Sequence, residues 1–132
     1  MSDRSREYGE GGAPIPAIDE PTVIFMINKS LRHDSSTAED VYQATRCSWI
    51  IGNEARERAF YALGVSNGVV RGAYRIERWR PADGNRWCFD GRSAAELDVI
   101  GKSVGRIKGR KGASNPVRIF LDGIPAPTPQ DQ

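Results

Sequence analysis

The longest apolar run in the chain is "TVIFMI", residues 22–27. It has no polar face and is β-branched at Val23, Ile24 and Ile27, which predicts a strand buried on both sides. A polar stretch follows. "SSTAEDVYQATRC" (35–47) then opens with Ser36 as a helix N-cap and Glu39 three residues on, the spacing of a capping box. Its helix would turn Val41 and Tyr42 inward, with Ala44 or Thr45 beside them. Asn53 is placed to cap a second short helix, "EARERA".

From residue 60 the period changes to two. "FYALGV" (60–65) and "VVRGAYRI" (69–76) flank Asn67-Gly68, a pair that tolerates positive φ and predicts a hairpin. Strict alternation puts Val70, Gly72, Tyr74 and Ile76 on one face, and Arg71, Arg75 and Glu77 on the other. The strand continues to Trp79, which falls out of phase and marks a bulge or a strand end. After a turn at "RPADGNR", "RWCFD" (86–90) sets Trp87 and Phe89 against Cys88. "SAAELDVI" (93–100) reads as a short helix capped by Ser93, and "PVRIFLD" (116–122) as a last strand with Val117, Ile119 and Leu121 inward.

The order β, α, α, β, β, β, α, β predicts an α+β fold. It would be a small, strongly curved mixed β-sheet or barrel of about five strands with two or three short flanking helices. Residues 60–90 contain no helix between their strands, so a Rossmann alternation does not fit. Residues 1–20 and 123–132 are rich in Gly, Pro and polar residues. They read as a disordered acidic N-terminal tail and a flexible C-terminal tail around one domain, 21–122.

Charge sharpens this picture. The net charge of +2 conceals a basic centre: residues 21–121 carry ten acids against 17 bases. Arginine outnumbers lysine 15 to 4, and its fork suits phosphates and ring faces. The N-terminus has no apolar core of a secretory signal, and no run approaches a membrane span. Cys47 and Cys88, without CxxC spacing, read as two reduced thiols in a cytoplasmic protein. One histidine, His33, and two distant cysteines make a zinc site within this chain improbable, and no cofactor or metal is expected.

Gly101-Lys102-Ser103 imitates the end of a P-loop, but the first glycine of that motif would fall on Glu96, and a helix precedes the triplet instead of following it. The basic segment is better read as a backbone-tracking loop. Residues 102–118 hold six bases and no acid, spaced by glycine and serine. Its phosphate-binding candidates are Lys102, Ser103, Arg106, Lys108, Arg110, Lys111 and Asn115. In "ERWRPADGNRW", Trp79 and Trp87 stand beside Arg78, Arg80 and Arg86, a composition suited to base stacking and equally to capping a small barrel. Glu39, Asp40, Glu54 and Glu57 sit in first helical turns, where the macrodipole accounts for them. His33 with Asp34 is too weak a pair to support catalysis, and no catalytic residue is assigned.

The layout, and "GVVRGAYRIERW" in particular, resembles the barrel strand of the PUA-like superfamily, with its EVE and ASCH members. The resemblance spans roughly 22–122 and is one of pattern. It implies a small β-barrel with flanking helices that binds RNA or modified bases in DNA. It also implies a base cleft among Trp49, Tyr61, Tyr74 and Trp79, with loop 102–115 on the phosphates. The expectation is a nucleic-acid-binding module, a reader of a modified or flipped base, rather than an enzyme. The alternatives are an accessory module for a protein partner such as a nuclease, in a phage or defence setting, and an ASCH-type ribonuclease.

Overall fold

The computed structural model describes residues 13–28, 37–105, 107 and 116–127. In chain order they form β1 (Thr22–Met26), α1 (Ala38–Arg46), α2 (Asn53–Arg58), β2 (Tyr61–Ser66), β3 (Val69–Pro81), β4 (Trp87–Ser93), a 3-10 turn (Ala95–Leu97) and β5 (Val117–Phe120). The capping box of α1 lies one residue later than expected. The Thr37 hydroxyl accepts from Asp40 N, and the Asp40 carboxylate accepts from Thr37 N, both at 3.1 Å. Aspartate does at N3 what glutamate was expected to do. Gly52, not Asn53, precedes α2. Residues 93–100 do not form an α-helix: Ser93 ends β4, and the turn stops at Asp98, whose φ is 54°.

The fold is α+β, with one sheet in the order β4-β3-β2-β1-β5. Only β1 and β2 pair in parallel, so α1 and α2 form the crossover between them. β1 lies inside the sheet between β2 and β5, and its first four residues are buried. Val23, Phe25 and Ile27 face the helical layer with Val41, Trp49, Ile51 and Ala55. Ile24 faces an irregular layer with Ile15, Ile18, Val99, Val104, Ile107 and Ile124. β4 and β5 are the edges, with no ladder between them, so the sheet is open. Among the described residues no helix is long and apolar enough to cross a membrane.

Two irregularities decide which way β3 points its side chains. Gly64 pairs with Gly72 but Val65 pairs with Val70, which leaves Arg71 as an extra residue. Val70 therefore joins the irregular layer, while Tyr74 and Ile76 join the helical one. The expected single face of Val70, Gly72, Tyr74 and Ile76 is broken by this bulge. A second shift at Glu77 pairs Arg78 with Asp90 and Trp79 with Phe89. It is the bulge that the phase of Trp79 signalled, and the strand runs past it to Pro81.

Beyond Ile76, β3 has only β4 as a ladder partner, and the free edge of β4 is clasped by the chain leaving α1. Trp49 and Trp87 exchange backbone hydrogen bonds of 2.9 and 2.7 Å. Arg46 Nε donates to Phe89 O at 3.0 Å. Cys47 and Cys88 form a disulfide, which replaces the expected pair of reduced thiols. Sequence spacing could not reveal it, because the two cysteines are 41 residues apart and meet only when the clasp closes.

The inner ends of both expected tails also belong to the domain. Ile15, Ile18 and Ile124 are buried, and Ile18 pairs with Ile124 across a two-way backbone bridge. On the edge strand β5, Val117 is buried as expected, but Ile119 is 44% exposed, and Leu121, just past the strand, is only half-buried.

Two measurements test this packing. A Cβ at Gly64 would strike the hydroxyl of Thr45, which is fully buried and donates to Val41 O at 2.7 Å. Gly64→Ala is expected to cost about 1–3 kcal/mol in urea unfolding. Reduction of the disulfide is expected to cost roughly 2–4 kcal/mol. A Cys47→Ser/Cys88→Ser double variant would lose the same amount and no longer respond to reductant.

Candidate nucleic-acid interface

Trp49 is placed by the clasp. Its ring stacks on Phe25 at 4.8 Å, and its indole nitrogen donates to Thr45 O at 2.8 Å. Only 7% of the residue is exposed, whereas the next residue, Ile50, is 64% exposed. Together with Arg86, Pro116 and Val117 they line a recess of about 200 Å³. Arg86 immediately precedes β4, and Pro116–Val117 open β5. The recess is therefore lined by the residue before β4, by the opening of β5 and by the chain leaving α1. Arg86 Nη1 donates to Ser48 O at 3.4 Å and stays exposed.

The basic segment ends at this recess. Ile107 anchors its first part in the irregular layer, and Pro116 returns it to the sheet, where Pro116 O accepts from Met26 N at 2.8 Å. Lys102 pairs with Asp98 at 3.4 Å. The Ser103 hydroxyl accepts from Gly105 N at 3.0 Å, and its backbone pairs with Ala13 and Ile15. Arg106, Lys108, Arg110, Lys111 and Asn115 lie outside the described residues, as do His33 and Asp34.

The other aromatic candidates do not join Trp49 at the recess. Tyr74 packs under α1, 5.1 Å from Tyr42, and burial pushes its hydroxyl up to about 12. Trp79 stands edge-on to Phe89 at 5.6 Å. Tyr61 is on the opposite face of the sheet, edge-on to Phe60, which carries the Arg75 guanidinium 3.7 Å above its ring. Trp87 is likewise covered by Arg56 at 3.7 Å.

A further cluster was not read from the sequence. Asp90 accepts from Arg46 Nη2 at 2.7 Å on one carboxylate oxygen. Its other oxygen accepts from Arg78 Nε at 3.0 Å and from Arg80 Nε. The Arg80 bond, then that of Arg46, and less so that of Arg78, hold the carboxyl at about 2 against partial desolvation. The available signal was the bulge: once Glu77 is counted out, Arg78 falls opposite Asp90. Elsewhere Glu39, Glu54 and Glu57 make exposed side-chain bonds within their own helices, to Gln43, Arg58 and Asn53. Among the described residues no group of three His, Cys, Asp or Glu stands together.

Comparison with family models, with curated proteins and with solved structures finds no match.

The lowered pKa of Asp90 fixes a sign. Its bonds stabilise the fold above the unfolded carboxyl's ordinary value of 3.8, and that contribution drains away as pH falls towards about 2. Asp90→Asn is expected to lower the urea midpoint at pH 7 and to narrow its gap to the parent protein between pH 4 and 2. A gap of constant size across that window would show that the arginine bonds contribute nothing.

Proposed function

We propose that the chain is a nucleic-acid-binding domain of PUA-like type. The recess lined by Trp49, Ile50, Arg86, Pro116 and Val117 takes a base, and the basic segment 102–115 takes the adjoining phosphates. The observation that carries this reading is the junction at Pro116. A segment with five bases and no acid between residues 102 and 115 re-enters the sheet at the wall of a recess floored by tryptophan.

The chemistry fits a single flat ring. A volume of about 200 Å³ is below the roughly 300–1,000 Å³ of typical small-molecule sites. Trp49 and Ile50 offer apolar contact, and Arg86 offers a planar cation that stacks or donates. Such a recess suits a flipped or modified base in DNA, or an unpaired base in RNA. Tyr74 and Trp79 pack in the helical layer instead. Phosphate contacts would supply affinity, and the recess would supply discrimination.

Fluorescence anisotropy with single-stranded RNA, plain duplex DNA and duplex DNA carrying modified cytosine, at two salt concentrations, tests this. Salt-sensitive binding that favours one probe is expected. Neutralising Lys108, Arg110 and Lys111 together would lower the slope of log K against log salt by roughly 2–3. Arg86→Ala with Ile50→Ser would erode the preference between probes more than the slope. Absence of binding at low salt and micromolar protein would sink the reading and favour a protein partner. Cleavage of the RNA probe would favour the ribonuclease alternative.

A further inference from the structure

β3 and β4 run past β2 as a two-stranded arm, because β2 pairs with β3 only as far as Arg75. One face of the arm is closed by Trp79 and Phe89 against the helical layer. On the other face Arg78 and Arg80 keep 66% and 54% of their side chains exposed around Asp90. Arg46 reaches the same carboxylate from the end of α1. Three guanidiniums on one carboxylate leave a local excess of two positive charges.

The geometry of the bonds matters more than the charge. Asp90 engages Arg78 and Arg80 through Nε on a single oxygen. Their terminal amino groups make no hydrogen bond to another described residue. Two forks are thus held side by side with their outer donors turned to solvent. An arginine normally loses rotamer freedom when it grips a phosphate; here much of that ordering is done in advance. Arg92 and Glu77, 4.0 Å apart and both exposed, lie beside the cluster and cancel each other.

We infer that the Asp90-ordered forks of Arg78 and Arg80 form a second phosphate clamp, which grips one backbone phosphodiester of the bound nucleic acid outside the recess. This rests on the nucleic-acid reading and adds a phosphate contact from β3. Asp90 is a positioning residue, and Arg78 and Arg80 are the binding groups.

The test uses the full chain and whichever probe binds best. Arg78→Gln/Arg80→Gln is expected to weaken binding at least about fivefold and to lower the salt slope by about one. Arg78→Lys/Arg80→Lys would restore the slope but not the affinity, because lysine keeps the charge and lacks the fork. Asp90→Asn is the sharper variant. It adds a positive charge, so charge alone predicts tighter binding, whereas a pre-ordered clamp predicts weaker binding. A thermal melt of each variant confirms that it is folded. If the folded glutamine pair binds with the parent affinity and slope, or folded Asp90→Asn binds tighter, the clamp is refuted while the recess reading stands. If the parent protein binds no probe, both fall together.

Discussion

Everything in this fold answers to β1, a strand without a polar face. Val23 and Phe25 are buried on one side and Ile24 on the other, so water must be excluded from both. A parallel neighbour can be reached only by a crossover, and that crossover is the helical layer over Phe25. Among the described residues no α-helix covers the second side. It is closed instead by short irregular stretches that bring Ile15, Ile18, Val99, Val104, Ile107 and Ile124 together. Their backbone groups find partners in bridges such as Ile18–Ile124 and Ser103–Ile15, which is how an irregular layer can be buried at all.

The crossover does more than cover the sheet. Within four residues at its middle, Arg46 to Trp49, it bonds the β4 edge by a guanidinium, a disulfide and a backbone bridge. That clasp sets Trp49 and Ile50 at the recess and brings Arg46 onto Asp90. The recess and the arginine cluster thus share one anchor. In the proposed function both would meet the same strand of nucleic acid with a fixed spacing.

Local physics was legible in the sequence. β1, the Asn67-Gly68 hairpin, the phase break at Trp79 and the two helices of the crossover all rest on short-range pattern, and each stands in the structure. What was not legible depends on pairing across distance. The disulfide requires the clasp, and the Arg71 bulge requires knowing that Gly64 faces Gly72. Ile15 and Ile18 look like tail because Gly and Pro surround them, and only the bare face of β1 explains their burial. Of the candidate site, Trp49 and the end of the basic segment meet at one recess. Tyr61, Tyr74 and Trp79 came from the PUA-like resemblance, and a resemblance of pattern cannot tell a ring in a cleft from a ring in a core.

The bulge at Glu77 makes the two faces of the arm a matter of counting. Side chains alternate, so one extra residue between Ile76 and Arg78 is all that sends Trp79 inward and Arg78 and Arg80 outward. The arm's chemistry is therefore written in chain length as much as in residue identity. In related chains, substitutions along the arm would be read one position at a time. A gain or loss of a single residue between Ile76 and Arg80 would exchange an apolar face for a cationic one in a single event. Variation in length is to be expected only in the turn 82–86, where the two strands are joined and the count no longer matters.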